Sequence, residues 1–181
     1  MTLASRSARA LGALSAGLLS LGMLAACAPQ PQPTSTPTKT ALFSSDAEAF
    51  KAAEETYRAY TDASNDTNLS DPTSIDPVYE WLTNPAEAAS RKNYSVYYAE
   101  KISRTGESTY DHFTPVAFKN GLITARVCVD VSAVDLVDAD GQSVVPTDRV
   151  DRQPLEIEFV EGDTPTSLVI RSNIVAEGFK C

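Results

Sequence analysis

Between Ile123 and Ala133 the chain alternates without a break. Ile123, Ala125, Val127, Val129, Val131 and Ala133 fall on one face, and Thr124, Arg126, Cys128, Asp130 and Ser132 on the other. This is the period of a β-strand with one buried side. Asn120-Gly121 just before it is a favoured two-residue hairpin turn, because both residues tolerate positive φ. The turn joins the strand to an earlier extended run, Glu107 to Lys119, whose Pro115 predicts a bend or an edge. Asp138-Ala139-Asp140-Gly141 predicts another turn, Leu155, Ile157 and Phe159 a further strand, and Leu168, Ile170 and Ile174 a last one. The first half has the other period. Ser45-Asp46-Ala47-Glu48 is a capping box, and Ala47, Phe50, Ala53, Tyr57 and Tyr60 follow as one helical stripe up to the polar stretch Asp62 to Asp71. Asp76-Pro77 opens a short helix through Leu82. Asn84-Pro85-Ala86-Glu87 reads as an Asn cap with Pro at the first helical position, starting a helix that runs to about Arg104 and is closed by Gly106. The expected buried side of that helix holds Ala89, Val96, Tyr97 and Ile102.

Helices first and hairpin-connected strands afterwards predict an α+β domain, with N-terminal helices packed on one face of a curved antiparallel sheet. Over Ser45 to Cys181 this order resembles the cone-shaped fold of the nuclear transport factor 2-like superfamily. That superfamily includes isomerases, cyclases and dehydratases beside members that only bind or dimerise, so the resemblance does not by itself select a function. The block Arg126-Val127-Cys128-Val129-Asp130-Val131-Ser132, with Asp138-Ala139-Asp140-Gly141 and a C-terminal Cys181, is similar to secreted lipoproteins of high-GC Gram-positive bacteria.

The N-terminus has a different pattern. Arg6 and Arg9 precede an uncharged run from Ala10 to Ala26, the layout of a secretory signal peptide. The run is shorter than the about 20 strongly apolar residues of a membrane span and is diluted by Gly12, Gly17 and Gly22, which favours removal. Its end, Leu24-Ala25-Ala26-Cys27, resembles the lipobox of bacterial lipoproteins. The resemblance implies a diacylglycerol on the Cys27 thiol, cleavage before it and palmitate-type acylation. Cleavage after Ala28 as an ordinary signal peptide is the competing reading, since Ala26-Cys27-Ala28 also fits the small-residue rule. Two acyl chains, at roughly 0.8 kcal/mol per buried CH₂, hold a protein at a bilayer where one does not. Ala28 to Thr40 is rich in proline and threonine and reads as an extended tether. The expected organisation is therefore a signal peptide at 1–26, a lipidated cysteine and tether at 27–40, and one domain at 41–181. The expected location is the extracytoplasmic face of the cell membrane, through the lipid anchor.

Losing Arg6 and Arg9 with the leader takes the formal charge from −9 to −11, which argues against nucleic acid as a partner. With Cys27 given to lipid, Cys128 and Cys181 remain as an even pair in an oxidising compartment, and a bridge between them is expected over two free thiols. Cys128 lies on the polar face of its strand, so Cys181 must reach the side of the sheet away from the core. Members of the superfamily pair through the open sheet face. The resemblance therefore allows a homodimer, with the bridge as an obstacle to it.

The candidate chemistry is sparse. A pocket enzyme of this fold needs a carboxylate or imidazole base inside the cone, and the strand parity turns Arg126, Asp130, Glu156 and Glu158 outward. Asp111, the sole histidine His112, and Tyr97 or Tyr98 are left as the weak inward candidates. Asp135, Asp138 and Asp140 cluster before Gly141, but counting from that glycine puts Leu136 at the first and Thr147 at the twelfth position of a calcium loop, so the match fails. One histidine and two bridged cysteines make no zinc site. Phosphate loops, serine elbows and paired Cys-x-x-Cys are missing from the sequence, and no cofactor is expected. Two readings stand. The first is a non-enzymatic envelope module that binds a protein partner or a small apolar ligand. The second is a small-molecule enzyme of the isomerase, cyclase or dehydratase kind with a cone pocket near His112.

Overall fold

The computed structural model describes residues 41–181; the expected signal peptide, Cys27 and the tether lie outside the described residues. The elements run α1 (Asp46–Asn65), a 3₁₀ turn (Pro72–Ile75), α2 (Asp76–Tyr79), α3 (Ala86–Ala99), β1 (Ser103–Thr105), β2 (Thr109–Lys119), β3 (Leu122–Asp130), β4 (Asp135–Val137), β5 (Arg152–Glu161) and β6 (Leu168–Val175). Four strands form one antiparallel sheet in the order β2-β3-β5-β6, and β1 and β4 pair as a separate two-stranded ribbon. The architecture is α+β, with helices packed against one face of the sheet, as the alternation of periods predicts.

The core forms where the predicted faces meet. Ile123, Ala125 and Val127 of β3, Ile157 and Phe159 of β5, and Leu168 and Ile170 of β6 pack against Ala49, Ala53 and Tyr57 of α1 and against Ile75, Val78 and Leu82. Burying each large aliphatic side chain contributes about 1.5–3 kcal/mol. The opposite face is ionic, with Arg126 bound to Glu156 at 2.9 Å and Arg171 to Glu158 at 2.7 Å. Cys128 is buried there beneath the C-terminal segment and is disulfide-bonded to Cys181, with their Cα atoms 5.5 Å apart. Asn120 and Gly121 both have positive φ, as the hairpin requires. Trp81 and Thr83 hydrogen-bond the main chain of Ile170, covering part of the free edge of β6.

Several local expectations are corrected. The Ser45 hydroxyl does cap α1 by accepting from the Glu48 N–H at 3.2 Å, but the Glu48 carboxylate reaches one residue further back, to the Ser44 N–H and hydroxyl. Ala47 is exposed, and Ala49 takes its place in the stripe. Asn84 does not cap α3: the Asn84–Pro85 bond is cis, and Pro85 itself precedes the first helical residue. The helix stops at Ala99 rather than Arg104. Lys101 takes the left-handed conformation at φ 55, its N–H bonds the Tyr98 carbonyl, and the Ile102 N–H bonds the Tyr97 carbonyl at 2.8 Å. This is a Schellman ending, and it buries Ile102 as its apolar anchor. Neither Ala89 nor Val96 is buried; α3 contains no fully buried residue. β3 ends at Asp130, because Val131 and Val134 close a turn, and Ala133 is exposed. Ile174 points outward and is 59% exposed.

Candidate functional site

The loose seating of α3 has a structural consequence. A cavity of about 350 Å³ opens between that helix, the end of α1, the β1–β4 ribbon and β6. Leu69, Leu82, Ala86, Tyr97, Val131, Val134 and Leu136 give it apolar walls, and Tyr60, Tyr94, Asn173, Ser108 and Arg104 give it polar points. No Asp, Glu, His or Cys is among its lining residues.

Each polar group is delivered by a local feature of the chain. Tyr60 is the last member of the α1 stripe, one turn before that helix ends. Tyr94 lies on the inner side of α3, with its ring 6.3 Å from those of Tyr79 and Tyr97 in edge-on contact. Asn173 enters through a β-bulge. Phe159 pairs with Ile170 but Glu158 pairs with Ser172, so Arg171 is an extra residue, and from there the alternation is inverted. Asn173 consequently opposes the buried Ile157, while Ile174 is turned to solvent. Arg104 reaches from β1 to the end of α1, donating from Nη1 to the Ser64 carbonyl at 2.7 Å and from Nη2 to the Asn65 and Thr67 carbonyls. A cation at that place complements the negative end of the helix.

Burial raises the pKa of the Tyr60 phenol, and Tyr94 adds to the rise, while the side chains of Ser64 and Asn173 oppose it. Burial also raises that of Tyr94; Thr67 and Ser64, and then the charge of Arg104, pull it back. Both phenols are therefore protonated at neutral pH. Ser64 Oγ and Asn173 Oδ1 are buried and make no hydrogen bond of normal geometry in the protein, although Ser64 lies near both phenols and the Asn173 side chain near that of Tyr60. Each such atom costs about 1–3 kcal/mol, and unpaired polar atoms of this kind are uncommon away from sites that serve a ligand or a water molecule.

Of the residues singled out for chemistry in the sequence, Asp111, His112, Tyr97 and Tyr98, only Tyr97 lines this cavity. Tyr98 is 52% exposed, and Asp111 and His112 lie on β2 outside it. His112 is the extra residue of a second bulge, with φ 53, and it faces solvent. Its Nδ1 is 2.7 Å from Asp111 Oδ1, and Asp111 is held bidentately by Arg152 at 2.6 and 2.8 Å. Asp111 and His112 instead line a second, more open and more polar cleft of about 360 Å³ with Glu54, Arg58, Asp62 and Tyr110, separate from the cavity beneath α3. Asp111, His112 and Cys128 bring ligand atoms within 4.8 Å of one another, but the Cys128 sulfur is committed to Cys181. The Asp138 turn is closed by its own carboxylate, which accepts from the N–H groups of Asp140 and Gln142. Sequence reasoning missed Tyr94, Arg104 and Asn173. Tyr94 falls three residues before Tyr97 on the same helix face and could have been found; nothing in the pattern announces the bulge at Arg171.

No protein-family model matches the chain, and no curated protein matches it. Among solved structures, a Novosphingobium aromaticivorans protein provisionally named an aromatic ring hydroxylase is similar at 16% identity and a TM-score of 0.48, covering 71% of this chain and 88% of that one. A Catenulispora acidiphila protein solved in complex with S-DNPA is similar at 13% identity and a TM-score of 0.45, covering 71% and 92%.

Proposed function

We propose that this chain is a lipid-anchored binding module of the cell envelope, and that its cavity takes up a small, largely apolar molecule. The observation that carries the reading is the lining itself: apolar walls, two protonated phenols and a carboxamide whose Oδ1 has no partner, in a volume within the range of small-ligand sites. Acid–base catalysis needs a group that accepts a proton near neutral pH. The lining offers no carboxylate, imidazole or thiol for that task, which favours binding over turnover. The order of helices and antiparallel strands supports reading the domain as nuclear-transport-factor-2-like. The sequence Leu24-Ala25-Ala26-Cys27 and the tether after it support anchoring through Cys27, outside the cytoplasmic membrane.

Two measurements test this. A fragment screen followed by amide chemical shifts is expected to give hits whose perturbations centre on Tyr60, Tyr94 and Asn173 and vanish in Ala89→Trp, which fills the cavity from α3. Hits that cluster elsewhere, or that survive the substitution, would remove the cavity from the argument. The intact mass of the mature protein from its native membrane is expected to carry diacylglycerol on an N-terminal Cys27. An unlipidated chain would leave a freely secreted binder.

A further inference from the structure

We infer that the molecule bound in this cavity is a monoanion, a single carboxylate on an apolar or aromatic body, whose charge is met by Arg104. The inference depends on the binding reading above and adds the chemistry of recognition to it.

Arg104 is the sole charged residue in the lining. It is half-buried, and among the described residues it makes no ion pair. Its hydrogen bonds all go to main-chain carbonyls, those of Ser64, Asn65 and Thr67. A guanidinium has five N–H donors, so these contacts orient it without using its full capacity and without cancelling its charge. Cations drawn away from water are ordinarily matched by an anion. The outer face of this sheet shows that rule, with Arg126, Arg152 and Arg171 each bound to a carboxylate. In the cavity Arg104 faces only the carbonyl end of α1, a partial negative charge, so a bound carboxylate would give it an ion pair.

The other polar groups agree with that assignment. The Tyr60 and Tyr94 phenols hold their protons and can donate, and so can the hydroxyls of Ser90 and Ser108 and the Asn93 and Asn173 carboxamides. A carboxylate accepts only, and these groups can donate to it; the same hydroxyls and carboxamides also accept, so the Arg104 charge is what sets the preference against an ammonium group. The apolar walls and the ring of Tyr97 ask for an apolar body behind the charge. The strongly acidic chain disfavours more than one negative charge on an incoming molecule.

The test uses three probes of one shape on the full domain with its disulfide intact: naphthoate, naphthol and naphthylmethylammonium, titrated by calorimetry at neutral pH. Naphthoate is expected to bind at least about tenfold more tightly than naphthol, and the ammonium probe to be the weakest. Raising salt from about 50 to about 500 mM is expected to weaken naphthoate and leave naphthol unchanged, because only the charged pair is screened. Arg104→Lys should keep part of the preference, and Arg104→Gln should abolish it. If either variant misfolds for loss of the α1 contact, the probe series and salt titration on the unaltered protein still decide. Equal binding of naphthoate and naphthol would overturn the monoanion inference and leave the cavity reading standing. Failure of all three probes would overturn both.

Discussion

Ile170 and Asn173 both face the inner side of the sheet, although positions three apart on a regular strand face opposite sides, because Arg171 is inserted as a bulge between their registers. The insertion places the Asn173 carboxamide opposite Ile157, where continued alternation would have placed Ser172. Asn173 Oδ1 is then left buried and unpaired, a cost in stability that a binding site can justify.

Replacing that group should separate the two properties. Asn173→Leu removes the unpaired atom at similar volume and is expected to raise stability by about 1 kcal/mol, while weakening naphthoate binding. Urea unfolding of both proteins, with titration of the probe, measures the trade. A variant less stable than the parent would mean that the carboxamide is satisfied in solution and that the site carries no such cost.

Gly106 supports the cavity from the other side. Its φ is 74, and a Cβ there would fall 1.8 Å from the Ala133 carbonyl oxygen. That carbonyl belongs to the turn whose Val131 and Val134 form cavity wall. Gly106→Ala combines left-handed strain with a backbone clash and is expected to cost about 3 kcal/mol. Amide shifts should move across Val131 to Leu136 and binding should weaken. A variant with unchanged stability would show that the ribbon yields freely and does not define the wall.

The parts of the fold legible in the sequence were those fixed by period and by turn chemistry. Ile123, Ala125 and Val127 share a face because strand geometry leaves no alternative, and Asn120-Gly121 turns because both residues accept positive φ. The site was less legible for a physical reason. Arg171 and His112 are bulge residues, and a bulge inverts parity without any mark in composition, so uninterrupted alternation hides Asn173 and turns His112 inward. Lys101 ends α3 in a conformation usually left to glycine, and the signal at Gly106 therefore placed the helix end too late.

The outer face should respond to acid. The Asp111 carboxyl is held below its ordinary pKa by the hydrogen bond to His112 and then by Arg152. That of Asp130 is lowered by the Ser132 hydroxyl and N–H, with Arg152 adding to it. A carboxylate depressed in the folded state stabilises above its unfolded pKa, and the contribution is lost as pH falls through the native value. Both groups are on the surface, so the effect is modest. Melting temperature followed downward from about pH 6 is expected to fall less steeply at the acid end for Asp111→Asn than for the parent. Parallel curves would mean that the Asp111–Arg152 contact is not populated in solution.

The disulfide joins Cys128 to Cys181 across a separation of 53 residues. A loop of that length constrains the unfolded chain by roughly 4 kcal/mol in the entropy model. Its location predicts a second, separable result. The bridge ties the C-terminal segment to the ionic face, where Phe179 lies against the Arg126 guanidinium, whereas the cavity opens on the opposite face among α3, β1 and β4. Replacing both residues, as Cys128→Ala with Cys181→Ser, should lower the free energy of unfolding by up to about 4 kcal/mol, and leave probe affinity unchanged wherever the variant remains folded. Binding that weakens in step with stability would mean that the C-terminal strap shapes the cavity through the sheet, and the two faces would then have to be treated as one coupled unit.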